Sequence, residues 1–173
     1  MGNYYENMKD ALPDPKRVKK VKKELISKGV KYIYSNWIDF LGSPKTKPMP
    51  ISDFDDLCAG KGPQFAVHSV SFVPELTPAD NDQIPIPDLD SLVICPWDKT
   101  CAWVFADLYW NGKPYDVCPR LTLKKQIKKS AKSDLKFYVG IEPEFFLMQW
   151  DGDKTVKAID RDPIPLRRQA FGY

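Results

Sequence analysis

The sequence predicts an α+β fold, and three observations carry that prediction. Helical periodicity is concentrated near residues 14–27 and 121–132. Between and beyond those stretches lie runs rich in β-branched and aromatic residues. Gly-, Pro- and Asn-bearing turns punctuate the chain where one run gives way to the next. The resulting order is helix, hairpin, helix, long loop, two strands, helix, strand. The first half reads as a small sheet packed by one helix, and the last helix and strand read as the start of a second body.

Each element has its own signal. Asp14-Pro15 opens a helix over 14–27 that Gly29 stops. Val18, Val21 and Leu25, with Ile26 at the margin, form its apolar stripe, and its lysines face water. Residues 32–40 and 45–51 read as a hairpin around Leu41-Gly42-Ser43-Pro44. Ser52 is expected to cap a short acidic helix over 53–58. Gly60-Lys61-Gly62-Pro63 is a loop without the phosphate-loop pattern. Residues 64–90 are rich in proline and aspartate and read as one long loop. Strands follow at 92–95 and 102–110, the second ending in an Asn111-Gly112 turn. A helix over 121–132 has Pro119 near its start, and a strand over 135–150 ends at Asp151-Gly152-Asp153.

Composition narrows the function classes. The chain has 173 residues, 43% hydrophobic and 28% charged, as in globular proteins. Its apolar runs are too short for a membrane span, and the first ten residues lack a signal-peptide core. The net charge of +3 is concentrated in the lysine-rich first helix. No aromatic residues interleave with those lysines, so a solvated helix face is expected rather than a nucleic-acid partner. Cys58, Cys95, Cys101 and Cys118 have no C-x-x-C spacing and no histidine beside them, which argues against zinc. Free thiols in a reducing cytoplasm are the expectation, without a Cys95–Cys101 disulfide.

The most informative stretch is Val139-Gly140-Ile141-Glu142-Pro143-Glu144-Phe145-Phe146-Leu147-Met148-Gln149. On a strand, Glu142 and Glu144 share one face while Ile141, Phe145 and Leu147 share the other. Two neighbouring carboxylates in so apolar a run repel each other, and Mg²⁺ or Mn²⁺ would relieve that repulsion. The competing reading is one solvated face of an antiparallel sheet. Pro143 places the pair at an edge or bulge rather than in a central ladder.

A collinear set of motifs over residues 28–150 resembles the N-terminal third of the glutamine synthetase family. Its members are Asp39-Phe40-x-Gly42, Pro87-Asp88-Leu89-Asp90-Ser91-Leu92, Pro96-Trp97 and Ala106-Asp107-Leu108. Gly112-Lys113-Pro114, Pro119-Arg120-x-x-Leu123 and Gly140-x-Glu142-x-Glu144-Phe145-Phe146-Leu147 complete it. Thr77-Pro78-Ala79-Asp80 and the 102–110 strand look closest to the type III glutamate–ammonia ligase and γ-glutamylalkylamide synthetase-like branch.

The resemblance implies an N-terminal helical segment at 1–28 and a β-grasp-like domain at 29–117 containing the 64–90 loop. Residues 118–173 would then begin a catalytic domain cut short at Tyr173. The implied reaction joins ammonia or a small amine to the γ-carboxylate of glutamate through γ-glutamyl phosphate, with ATP as co-substrate. Glu144 would hold the metal nearer glutamate and the amine, and Glu142 the metal near the ATP phosphates. A homo-oligomeric ring is also implied, in which a neighbouring subunit's loop completes the amine site. Phe65-Ala66-Val67-His68-Ser69 stands where the family commonly has F-D-G-S-S, so Ala66, His68 and Ser69 mark that loop. Ala66 replaces an ammonium-binding aspartate and favours a larger or less charged amine.

His68 carries no role by itself, and no catalytic residue is assigned within the chain. Cys118 reads as structural, and Arg120 is expected to pair with a structural carboxylate. Trp97, Trp103 and Trp110 read as core or interface anchors, and Arg161, Arg167 and Arg168 as a solvated face. The chain alone is expected to be inactive. The alternative is a non-catalytic β-grasp module for oligomerisation or regulation.

Overall fold

Capping sets the start of the first helix. In the computed structural model, which describes residues 6–67, 76–145, 148–152 and 154–157, the Asp14 carboxylate accepts from the Arg17 N–H at 2.9 Å. Helix α1 (Pro15–Ser27) follows, with Pro15 in its first turn. Val18 and Leu25 are buried, whereas Ile26 points outward. Among the described residues, a 3₁₀ segment, Glu6–Ala11, precedes α1.

The predicted hairpin forms from β1 (Tyr32–Ile38) and β2 (Pro44–Pro50), paired from Tyr32↔Pro50 to Ile38↔Pro44. Its turn is held by Asp39, whose carboxylate accepts from the Leu41 and Ser43 N–H groups. Gly42 takes φ +83 there, a conformation that a Cβ would strain. A 3₁₀ turn (Ile51–Asp53) then leads into α2 (Phe54–Cys58). Ser52 is not the cap expected of it: it lies within that turn, and its hydroxyl hydrogen-bonds to the Asp53 carboxylate.

The predicted 64–90 loop contains two strands, β3 (Phe65–Ala66) and β4 (Asp82–Pro87). The prolines that argue against a strand are accommodated by the edge. β4 pairs with β3 only at Asp82 and Gln83, leaving Pro85 and Pro87 a partner on one side. Asp88 N–H donates to Phe105 O at 2.8 Å, so by alternation the proline nitrogens face away from the ladder.

After a 3₁₀ turn (Leu89–Ser91) come β5 (Val93–Ile94), β6 (Cys101–Trp110) and β7 (Lys113–Pro114). Asn111 (φ 51) and Gly112 (φ 76) make the turn between the last two. The sheet runs β2-β1-β6-β4-β3, with β5 and β7 also on β6. The β1–β6 pair is parallel and the others antiparallel. Helix α3 (Pro119–Ala131) follows β7.

The inner face of this mixed sheet packs against both early helices. Val18, Leu25, Ile33, Phe54, Leu57, Ala102 and Val104 form one cluster. Full burial of side chains such as Phe54 and Leu57 contributes about 1.5–3 kcal/mol each. Trp37 stacks on Phe65 with ring centroids 4.1 Å apart, in a second cluster with Val67, Leu108, Tyr115 and Cys118. Lys22 departs from the solvated face expected of α1, because its ammonium donates to Asp55 Oδ2 at 2.5 Å and to Ser52 O at 2.6 Å.

These elements belong to one compact unit, Met1–Leu135, and Lys136–Tyr173 is a second. Within the second, β8 (Met148–Asp151) and β9 (Lys154–Lys157) form a hairpin. The strand expected over 135–150 is not formed as such. Residues 135–145 carry no helix or strand, and regular pairing begins only at Met148. An apolar run becomes a strand only when a neighbour takes up its hydrogen bonds, and among the described residues none pairs with 135–145.

Candidate functional site

Glu142 and Glu144 lie in that unpaired segment, and both are exposed. Their apolar neighbours are exposed with them, Ile141 at 89% and Phe145 at 81%. Tyr138 and Val139 are similarly uncovered. The shared strand face that would set the two carboxylates side by side therefore does not exist as regular structure here. Among the described residues, no group of three or more His, Cys, Asp or Glu side chains could hold a metal. The two carboxylates nevertheless suit Mg²⁺ in kind. That ion is commonly held by one or two carboxylates, with substrate phosphates and water completing its shell.

Ala66 lies in β3 opposite Asp82 and is half-buried. It is flanked by Phe65, which stacks on Trp37, and by fully buried Val67. His68 and Ser69 lie outside the described residues, as do Arg161, Arg167 and Arg168.

A different constellation is well formed. Arg120, in the first turn of α3, donates from Nε to Asp107 Oδ1 at 3.0 Å and from a terminal nitrogen to Asp88 Oδ2. Lys124, one turn on, donates to Asp88 Oδ2 at 2.8 Å and to Asp107 Oδ2 at 2.6 Å. The Arg120 guanidinium also lies over the Phe105 ring, 5.8 Å from its centroid. Two cations on one helix therefore share two carboxylates from the sheet side.

Burial alone would raise the Asp88 carboxyl. Hydrogen bonds from Lys124, the Asp90 N–H and Arg120 outweigh it and hold the group below the usual carboxylate range. For Lys124, burial pulls down, and the Asp107 and Asp88 carboxylates lift it above its ordinary value. Arg120 has the structural carboxylate partner expected from sequence, in fact two. The roles of Asp88, Asp107 and Lys124 were not foreseen, because the pairs span 13 to 36 residues. Asp88, Asp107 and Lys124 border a cavity of about 190 Å³ that Arg17 and Tyr109 also line.

Of the tryptophans, Trp110 is anchored by its indole N–H to Asn81 O at 2.8 Å and packs edge-on to Tyr115. Trp97 and Trp103 form an exposed T-shaped pair, 5.2 Å between centroids. Cys118 is buried beneath the start of α3, as expected of a structural residue.

Comparison with known proteins gives a consistent picture. The family model described as glutamine synthetase, catalytic domain, matches residues 116–170. A glutamine synthetase of Rhizobium meliloti is 37% identical over 138 residues, covering 80% of this chain and 31% of the relative. A glutamate–methylamine ligase of Methyloversatilis universalis is 32% identical over 78% of this chain and 30% of the relative. A solved structure of a GmaS/ADP complex superposes with a TM-score of 0.59 at 29% identity, covering 65% of this chain and 26% of that one. The chain thus spans about a third of the length of the curated relatives it matches.

Proposed function

From the premise that this chain belongs to the glutamine synthetase family, we propose that it is the N-terminal part of an ATP-dependent ligase. That ligase joins ammonia or a small amine to the γ-carboxylate of glutamate through an acyl phosphate. The observation that carries the proposal is the Glu142-Pro143-Glu144 segment, which falls inside the stretch matched to the catalytic-domain family. Residues 29–117 are the β-grasp-like domain in this reading, 1–28 an N-terminal helical segment, and 118–173 the beginning of the catalytic domain.

Glu142 and Glu144 each offer carboxylate oxygens, the donor type that Mg²⁺ and Mn²⁺ prefer. Such an ion, when bound, would neutralise the charge that develops in phosphoryl transfer. Glu142 would serve the nucleotide side and Glu144 the glutamate and amine side. Both are exposed and free of the sheet, so their oxygens are available. Lengthening by other parts of the enzyme's sheet would set their side chains parallel.

Ala66 offers no charge to an ammonium ion. In a ring of subunits, its loop, with His68 and Ser69, would face a neighbour's amine site and favour a small alkylamine. The four free thiols agree with a cytoplasmic setting.

The chain alone provides two acidic ligands and, among its described residues, no third, so it is expected to be inactive. An amine panel on the full-length protein tests the assignment by glutamate-dependent ADP release. Release stimulated by methylamine or ammonia is expected. ADP release indifferent to glutamate and to every amine would overturn it, and would favour an assembly or regulatory module.

A further inference from the structure

We infer that Cys95 and Cys101 form a redox-modification site, at which a peroxide joins them in a disulfide across the β5–β6 turn. The two cysteines continue the β5–β6 register directly beyond Ile94↔Ala102, and Cys95 N–H donates to Cys101 O at 2.9 Å. Directly opposed, hydrogen-bonded antiparallel residues point to the same face, with Cα atoms about 5.5 Å apart. That separation lies within the span of roughly 4.4–6.8 Å that a disulfide bridges. Both are free thiols, and the turn between them is tied down independently of any bridge. Asp98 accepts from Thr100 N–H at 2.9 Å, and Cys101 N–H donates to Asp98 O at 3.1 Å.

The two sulfurs have different surroundings. Cys101 is 9% exposed, its thiol donates to Asp98 Oδ2 at 3.2 Å, and the Tyr34 phenol is within hydrogen-bonding reach. Cys95 is 1% exposed, and burial, then Cys101 and Asp98, push its thiol up. Cys101 is therefore the residue that meets the oxidant and Cys95 the one that resolves the product.

The Cys101 sulfur attacks one peroxide oxygen as its thiol proton is released. The S–O bond forms, the O–O bond breaks, and the departing hydroxide takes up that proton as water. The Cys95 sulfur then attacks the sulfenic sulfur. The S–S bond forms, the S–O bond breaks, and hydroxide leaves with the Cys95 proton as a second water. Two thiols lose two electrons and two protons, and one peroxide becomes two waters. The bridge closes the turn that carries Trp97, whose ring packs against Trp103. In a reducing compartment such a bond is transient and reversible by thiols.

Hydrogen peroxide on the whole chain, followed by denaturing alkylation and peptide mapping, tests the site. The expected product has lost two hydrogens, links Cys95 to Cys101, and leaves Cys58 and Cys118 alkylated. Tryptophan emission should fall as the bond forms and return with dithiothreitol. In Cys95→Ser, dimedone should trap a sulfenic acid at Cys101. The wild-type map stands without that variant. A linkage involving Cys58 or Cys118 would overturn the inference. So would Cys95 and Cys101 both still alkylated once peroxide has oxidised the methionines.

Discussion

Replacing Arg120 with methionine keeps the aliphatic stem and deletes both of its ion pairs. The side chain is 26% exposed and its partners Asp88 and Asp107 are less so, at 19% and 14%. Breaking a fully buried pair costs about 3–5 kcal/mol, whereas exposed pairs are worth roughly 0–1 kcal/mol. This half-buried arrangement falls between, and the lost contact with Phe105 adds to it. The expected loss is about 2–3 kcal/mol, a fall in Tm of roughly 5–10 °C for a chain of this size. Lys124 is 43% exposed, so Lys124→Met should cost about 1 kcal/mol or less.

Differential scanning calorimetry at neutral pH measures both. A melting point for Arg120→Met indistinguishable from the parent would refute the reasoning. So would a larger effect from Lys124→Met. A double-mutant cycle with Asp107→Asn should give a coupling of about 1 kcal/mol or more, because the two side chains touch.

The same quartet sets a pH dependence. Asp88 titrates lower folded than unfolded, so its contribution is complete above the unfolded value of about 3.9 and is lost as pH falls through the folded one. Lys124 titrates higher folded, so its contribution is complete below about 10.4 and is lost as pH rises beyond that. Melting temperature against pH should show both limbs, and Arg120→Met should shift the acid limb to higher pH. Gly62→Ala places a Cβ 2.9 Å from the Leu57 Cα and should destabilise by about 1–3 kcal/mol, read by urea titration. The Cys58 thiol, pushed up to about 12 by burial and by Asp55 against Lys22, should resist iodoacetamide at neutral pH in the native protein. Rapid labelling would contradict its burial.

Where local chemistry decides, the sequence was legible. Asp14-Pro15 starts α1, Asp39 and Gly42 turn the first hairpin, and Asn111-Gly112 turns the β6–β7 pair. β4 was hidden because Pro85 and Pro87 count against a strand until the ladder shows that their nitrogens face its open edge. The charge quartet was hidden because nothing in the spacing of Asp88, Asp107, Arg120 and Lys124 reveals that the sheet and α3 bring them together. The 135–150 strand failed in the opposite way. Its alternation is that of a strand, but pattern supplies only one partner of a ladder, and residues 135–145 have no other among the described elements. The carboxylates themselves were legible from their apolar setting. Their expected geometry was not, because it depends on that missing neighbour.

Turnover by the full-length protein carrying Glu144→Ala is the most direct test of the central claim. Glutamate- and amine-dependent ADP release should be abolished, with the melting temperature unchanged because the exposed side chain supports no packing. Near-normal turnover in that variant would contradict the assignment of Glu142 and Glu144 to the metal site.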